Sequence, residues 1–113
     1  MRQATALGLK LVAYLVIFGV TMPIFGLLGL PRSWILAAVH TLLLWFGDLV
    51  ILPRFGTMVT TVIDALTLTL VTPVVLGAMA AFPNPLGITL AIALGSAFEW
   101  WFHRWLLAIG MVE

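Results

Sequence analysis

The side chains that could do chemistry in this sequence are three carboxylates and one imidazole, set in otherwise apolar segments. They are Asp48, Asp64, Glu99 and His103. Each ionisable group inside a membrane-crossing helix costs roughly 2.5–3.5 kcal/mol to insert, so a group that is kept there needs a partner or a task. Two arginines, Arg54 and Arg104, are near enough along the chain to supply counter-charges. We therefore predict a buried polar cluster formed by these six residues.

The composition of the chain places it in a lipid bilayer. Of the 113 residues, 64% are hydrophobic and 8% are charged, and the mean hydropathy is +1.25. A water-soluble domain of this size could not cover its surface with so few charges. The net charge of +1 gives no basic surface for nucleic acid, so we expect no nucleic-acid partner. Without cysteine the chain has neither a disulfide framework nor a thiolate metal site.

The apolar runs predict an all-α fold, a polytopic membrane protein with four transmembrane helices packed in a bundle. About 20 apolar residues cross the hydrocarbon layer, and the chain offers four such runs separated by turns rich in proline and glycine. We expect one domain, 1–113, with helices at about 11–30, 34–52, 57–82 and 87–111. Lys10 is assigned to the polar flank before the first helix, and Pro23 is expected to kink that helix.

Polar residues mark one face of each later helix. In the second helix His40 and Asp48 fall within one arc of the helical wheel. In the third a polar stripe follows helical spacing; its members are Thr57, Thr60, Thr61, Asp64 and Thr67. In the fourth a small-residue series, typical of close helix packing, leads into Glu99 and His103; it consists of Gly87, Ala91 and Gly95. These faces should meet inside the protein.

The distribution of Lys and Arg predicts the orientation. Arg2, Lys10, Arg54 and Arg104 fall on one side of the predicted membrane and Arg32 on the other. The positive-inside rule then places the N- and C-termini in the cytoplasm. Six or seven helical residues separate Asp48 and Asp64 from the nearby turn, so both carboxylates should lie about 10 Å inside the cytoplasmic edge.

The two halves of the chain carry similar residues at an offset of about fifty positions. Two prolines, a carboxylate and an arginine recur in the same order. The first set is Pro23, Pro31, Asp48 and Arg54, and the second is Pro73, Pro83, Glu99 and Arg104. A parallel repeat of two helical hairpins would place Asp48 and Glu99 in equivalent positions.

The segments Gly47–Asp64 and Glu99–Arg104 resemble the YndM-like family of small bacterial four-helix membrane proteins, a family of unknown function. The matching positions are Gly47, Asp48, Leu52, Pro53, Arg54, Asp64, Glu99 and His103. Thr57 stands where relatives are expected to carry Asn. The resemblance implies four transmembrane helices in the bacterial cytoplasmic membrane, and it implies no activity, cofactor or partner besides the lipid bilayer.

The leading interpretation of the polar cluster is structural. Asp48 paired with Arg54 or Arg104, and Glu99 paired with His103, would fix the register of the helices, while threonines bond to backbone carbonyls. We accordingly expect an integral membrane protein with a structural or accessory role and no cofactor. No Ser-His-Asp pattern and no glycine-rich phosphate loop is present, so we expect no enzymatic activity.

Two other roles remain open. In a proton or cation path, His103 or His40 would carry protons and the threonine stripe would supply oxygen ligands, and four short helices would need a homo-oligomer to enclose a pore. In an intramembrane metal site, Asp48, Asp64, Glu99 and His103 would be the ligands, a set that suits Mn, Fe or Zn. The Glu99-to-His103 spacing differs from the Glu-x-x-His of di-iron bundles.

Overall fold

Four long α-helices make up the fold, which confirms the predicted all-α class. The computed structural model describes residues 2–26, 28–81 and 83–109. The elements are α1 (Arg2–Val20), a π-helical turn (Thr21–Phe25), α2 (Leu30–Val50), α3 (Leu52–Ala78) and α4 (Pro85–Ala108). Four helical segments, the first running through the π-helical turn, are long and apolar enough to cross a membrane. In the bundle α1 and α3 each pack against both α2 and α4.

The helices begin earlier than predicted, and the first difference matters for the site. α1 starts at Arg2 instead of residue 11, so Lys10 lies within the helix. Nothing in residues 2–10 breaks a helix, and lysine itself is a good helix former, so the helix continues through the cation. α2, α3 and α4 each carry a proline in the first turn, where the missing N–H costs nothing. α3 ends at Ala78 and α4 at Ala108, earlier than the predicted ends at residues 82 and 111, which themselves lie outside the described residues.

Two backbone irregularities shape the ends of the helices. The kink expected at Pro23 takes the form of the π-helical turn, which ends where the N–H of Gly26 donates to the carbonyls of Thr21 and Met22 at 3.1 and 3.0 Å. Gly56 adopts φ 80° and ψ −178°, a conformation almost restricted to glycine. It separates the first turn of α3 from the long helix that carries Asp64.

The bundle reverses the usual distribution of polar and apolar groups. Leu42, Leu70 and Val74 are between 65% and 71% exposed, whereas Lys10 and Glu99 have no exposed surface. A soluble protein would show the opposite arrangement, because water solvates charges and excludes hydrocarbon. An apolar exterior around a polar interior suits a protein surrounded by lipid.

The small-residue series of α4 allows a close approach of backbones. A Cβ atom added to Gly87 would lie 2.6 Å from both the N and the Cα of Gly26 at the end of the π-helical turn. Farther along α4, a Cβ added to Gly95 would meet Leu68 of α3 at 3.1 Å and Tyr14 of α1 at 3.4 Å. The missing side chains therefore allow α4 to sit close enough for Glu99 to reach its partners.

Substitution of Gly87 should destabilise the bundle. Gly87→Ala forces two backbones apart, and overpacking of this kind costs about 1–3 kcal/mol. The matched control is Gly8→Ala in α1, where an added Cβ meets nothing within 4 Å; this change should be neutral or stabilising by about 0.5–1 kcal/mol. Thermal unfolding of both variants in detergent measures the difference, and equal melting temperatures would contradict the close contact.

Candidate functional site

Five ionisable side chains meet in the interior, at least one from each helix. We call them the buried charge network; its members are Lys10 of α1, Asp48 of α2, Asp64 of α3, and Glu99 and His103 of α4. Their side chains are between 0 and 2% exposed. The structure thus brings together the four acid and imidazole residues that the sequence singled out, and it adds a lysine.

Lys10 supplies the counter-charge. Its Nζ lies 2.6 Å from Asp48 Oδ2 and 2.9 Å from Glu99 Oε1, and it sits 5.2 Å from the centroid of the Phe102 ring. The prediction that Arg54 and Arg104 fill this role is wrong. Both arginines are exposed, because each lies near the end of a helix, where a long side chain can reach water or lipid headgroups.

A signal for Lys10 is present in the sequence. Ala6, Lys10, Tyr14, Phe18 and Met22 follow one another in steps of four and are all fully buried. Residues four apart share a helix face, so Lys10 lies on the face of α1 that packs into the bundle. The sequence places it in the polar flank, because Arg2 and Lys10 both precede the long uncharged run that starts at residue 11.

His103 is the point on which the carboxylates converge. Its Nε2 lies 2.7 Å from Asp48 Oδ1, 2.9 Å from Asp64 Oδ2 and 3.2 Å from Glu99 Oε2. One ring nitrogen carries at most one hydrogen and can bond fully to only one of them. The contact with Asp64 Oδ2 is close but does not complete a hydrogen bond, and that oxygen has no other partner among the described residues.

Thr61 fixes the other side of the imidazole. Its Oγ1 lies 2.9 Å from His103 Nδ1. Thr61 is therefore the member of the predicted threonine stripe that contacts the buried charge network through a hydrogen bond. Thr60 and Thr67 instead donate to carbonyls of their own helix, those of Gly56 and Ile63.

The remaining accessory candidates lie apart from the buried charge network. Thr57 is half-buried near the first turn of α3. His40 is fully buried, with Nδ1 2.9 Å from the carbonyl of Leu36 and Nε2 2.9 Å from Thr72 Oγ1. Since a carbonyl only accepts, Nδ1 carries the hydrogen and, in the neutral ring, Nε2 accepts from Thr72. His40 thus links α2 to α3 with both nitrogens satisfied.

Apolar side chains close the site on both sides along the bundle axis. Toward the start of α1 lies one buried cluster, formed by Ala6, Leu52, Phe102 and Leu106. Toward the other end lies the larger cluster that contains Tyr14, Phe18, Leu44 and Leu68. Because apolar side chains lie on both sides of the buried charge network, its charged groups are stabilised by contacts with one another. Electrostatic attraction between them is correspondingly strong.

The comparisons with known proteins give a family but no activity. Residues 1–110 match the model of a family described as Protein of unknown function (DUF2512). No curated protein and no solved structure gives a significant match.

Removal of the lysine should be far more damaging than removal of an exposed arginine. Lys10→Met leaves Asp48 and Glu99 without their cation, and breaking a buried ion pair in this way costs about 3–5 kcal/mol. Arg104→Met, the matched control at an exposed position of α4, should change stability little. The free energy of unfolding in mixed detergent micelles distinguishes them. Similar losses in the two variants would show that Lys10 is not the required counter-charge.

Proposed function

The chain belongs to the DUF2512 family of proteins of unknown function, and we propose that it is a structural or accessory membrane protein held together by the buried charge network. The observation that supports this role is that every helix contributes to one network. Lys10 contacts Asp48 and Glu99, and His103 contacts Asp48 and Asp64. Displacement of any one helix would separate the charge that it carries from its partners in the buried charge network.

A structural role fits the energetics of the site. A buried ion pair contributes little net stability compared with apolar packing, but losing one partner is costly. Such groups therefore select one arrangement of the helices over others, because only one register pairs every charge. The paired groups lie on all four helices, so the selection acts on the whole bundle. No catalytic role is needed to account for these residues, and we propose none.

Ion or proton translocation is the rival proposal. It is favoured by a continuous chain of contacts from Thr61 through His103 and Asp48 to Lys10. A proton could move along such a chain. However, the charged side chains are at most 2% exposed, so transport would require an opening to water or the homo-oligomer considered above.

We propose that the protein resides in the bacterial cytoplasmic membrane with both termini in the cytoplasm, as the YndM-like resemblance and the charge distribution suggest. Because Lys10 is buried, it no longer counts among the flanking charges. Arg2, Arg54 and Arg104 still outnumber Arg32 on the opposite side. In this orientation the buried charge network lies in the cytoplasmic half, with Lys10 about 12 Å along α1 from Arg2.

A double-mutant cycle tests the structural role directly. Lys10→Met and Glu99→Gln each remove one partner of a pair whose atoms are 2.9 Å apart. The double variant should be more stable than the sum of the single losses predicts, by about 1–3 kcal/mol, since neither charge is then left alone. The control cycle joins Lys10→Met with His40→Gln, which shares no partner with it and should be additive.

Two outcomes would contradict the proposal. Additive losses in the Lys10 and Glu99 cycle would mean that the pair does not hold the helices. Unchanged unfolding of the double variant, together with proton or cation flux in wild-type liposomes that the variant lacks, would establish transport instead.

The orientation is tested by labelling single cysteines, because the natural chain has none. Leu86→Cys lies at the start of α4 and Phe55→Cys in the first turn of α3, and both positions are exposed. In spheroplasts, a membrane-impermeant maleimide should label Leu86→Cys and should label Phe55→Cys only after permeabilisation. The reverse pattern would place the termini outside.

A further inference from the structure

We propose that the buried charge network binds one divalent transition-metal ion. The donor atoms are Asp48 Oδ1, Asp64 Oδ2, Glu99 Oε2 and His103 Nε2. One ligand atom from each of these residues lies within 4.8 Å of the others, and all four residues are buried. The ligands come from α2, α3 and α4, so an ion would join three helices. This inference goes beyond the structural role, which does not depend on it.

The spacing of the donor atoms suits a small ion. The three carboxylate oxygens lie 2.7, 2.9 and 3.2 Å from His103 Nε2. In a tetrahedral site with bonds of about 2.0–2.2 Å, neighbouring ligands are about 3.4 Å apart. The nitrogen–oxygen distances would have to grow by about 0.2–0.7 Å, within the reach of side-chain rotation, to open a central position for the ion.

The surrounding contacts orient the ligands in the way that metal sites require. A metal-bound histidine usually bonds through its other nitrogen to a fixed group, and Thr61 Oγ1 occupies this position at 2.9 Å from Nδ1. Lys10 contacts Asp48 Oδ2, the oxygen opposite the one that faces His103, and it lies near both oxygens of Glu99, 2.9 Å from Oε1 and 3.0 Å from Oε2. Asp48 thus keeps one oxygen for the lysine and directs the other toward His103, whereas Glu99 Oε2 lies between the lysine and His103.

The charges also favour a divalent ion. Three carboxylates and one lysine carry two excess negative charges when His103 is neutral. Uncompensated charge enclosed by hydrocarbon is strongly unfavourable, so without metal two protons must balance it, and a metal ion would replace them. One divalent cation would bring the formal charge of the site to zero while leaving the imidazole nitrogen free to bind it.

Tyr14 provides an observation independent of the acidic residues. It is fully buried on α1, and its hydroxyl completes no hydrogen bond to any of the described residues. The hydroxyl oxygen would lie 3.6 Å from a Cβ added to Gly95, which is one turn before Glu99 on α4. A buried hydroxyl without a partner is rare. A water bound to the ion would give it one.

The donor set indicates which metals would bind. Carboxylate oxygens suit Mn²⁺, imidazole suits Fe²⁺ and Zn²⁺, and no soft sulfur ligand is present in the set. A site of three carboxylates and one imidazole therefore fits Mn²⁺, Fe²⁺ or Zn²⁺ better than Cu⁺ or Ca²⁺. The chain has no cysteine that could compete for these ions.

Metal titration of the purified full-length protein in detergent tests the site. After treatment with a chelator, the wild type should bind about one Mn²⁺ or Zn²⁺ per chain, measured by equilibrium dialysis with elemental analysis. Asp64→Asn, which removes a ligand, should abolish stoichiometric binding. Tyr14→Phe removes one oxygen that completes no hydrogen bond to the described residues, so it should fold normally and weaken metal binding by about tenfold, as changes to groups around the metal ligands do. His40→Gln is the matched control and should bind as the wild type does.

Different results would contradict the metal site and the structural role. If the wild type takes up neither Mn²⁺ nor Zn²⁺ stoichiometrically, or if folded Asp64→Asn binds as well as the wild type, the metal site is excluded. Unaltered affinity in Tyr14→Phe would exclude the tyrosine as part of it. None of these results changes the coupling between Lys10 and Glu99, which alone decides the structural role.

Discussion

An ammonium group enclosed between two carboxylates is the constraint on which this structure depends. Lys10 lies within 3 Å of Asp48 and Glu99 with no exposed surface on any of the three side chains. In hydrocarbon a lysine has no water to bind, so α1 is stable in the bundle only where α2 and α4 present their carboxylates. The position of α1, which has no other charged residue in its apolar part, follows from this contact.

The polar groups of the bundle fall into two kinds with different consequences. Thr41, Thr60 and Thr67 donate to carbonyls one turn earlier in their own helices. Such bonds satisfy the hydroxyl in any arrangement of helices and select none. The buried charge network and the His40–Thr72 contact join different helices. These contacts exist in one register alone, and they therefore distinguish this packing from alternatives with equally apolar interfaces.

The structural role and the metal-binding role both depend on the three carboxylate oxygens that lie close to His103. In a structural network Nε2 bonds to Asp48 and leaves Asp64 Oδ2 unsatisfied, which is an unfavourable arrangement for purely structural groups. An ion would satisfy all the converging oxygens at once. The lysine is compatible with either role, because it contacts Asp48 through the oxygen that faces away from His103 and can pair with Glu99 through Oε1, which is 2.9 Å away.

The sequence by itself determined the setting and most of the site. Apolar runs of membrane-crossing length determined four helices, and the helical spacing placed Asp48, Asp64, Glu99 and His103 on inward faces, because hydrocarbon excludes charge from the outer ones. Only the tertiary structure decided the counter-charge. The two arginines that are near the carboxylates in sequence are exposed on the bundle. The cation that pairs with Glu99 is Lys10, which is 89 residues away along the chain. Local spacing places Lys10 on the inward face of α1, but which carboxylates it meets depends on how α1 packs against α2 and α4.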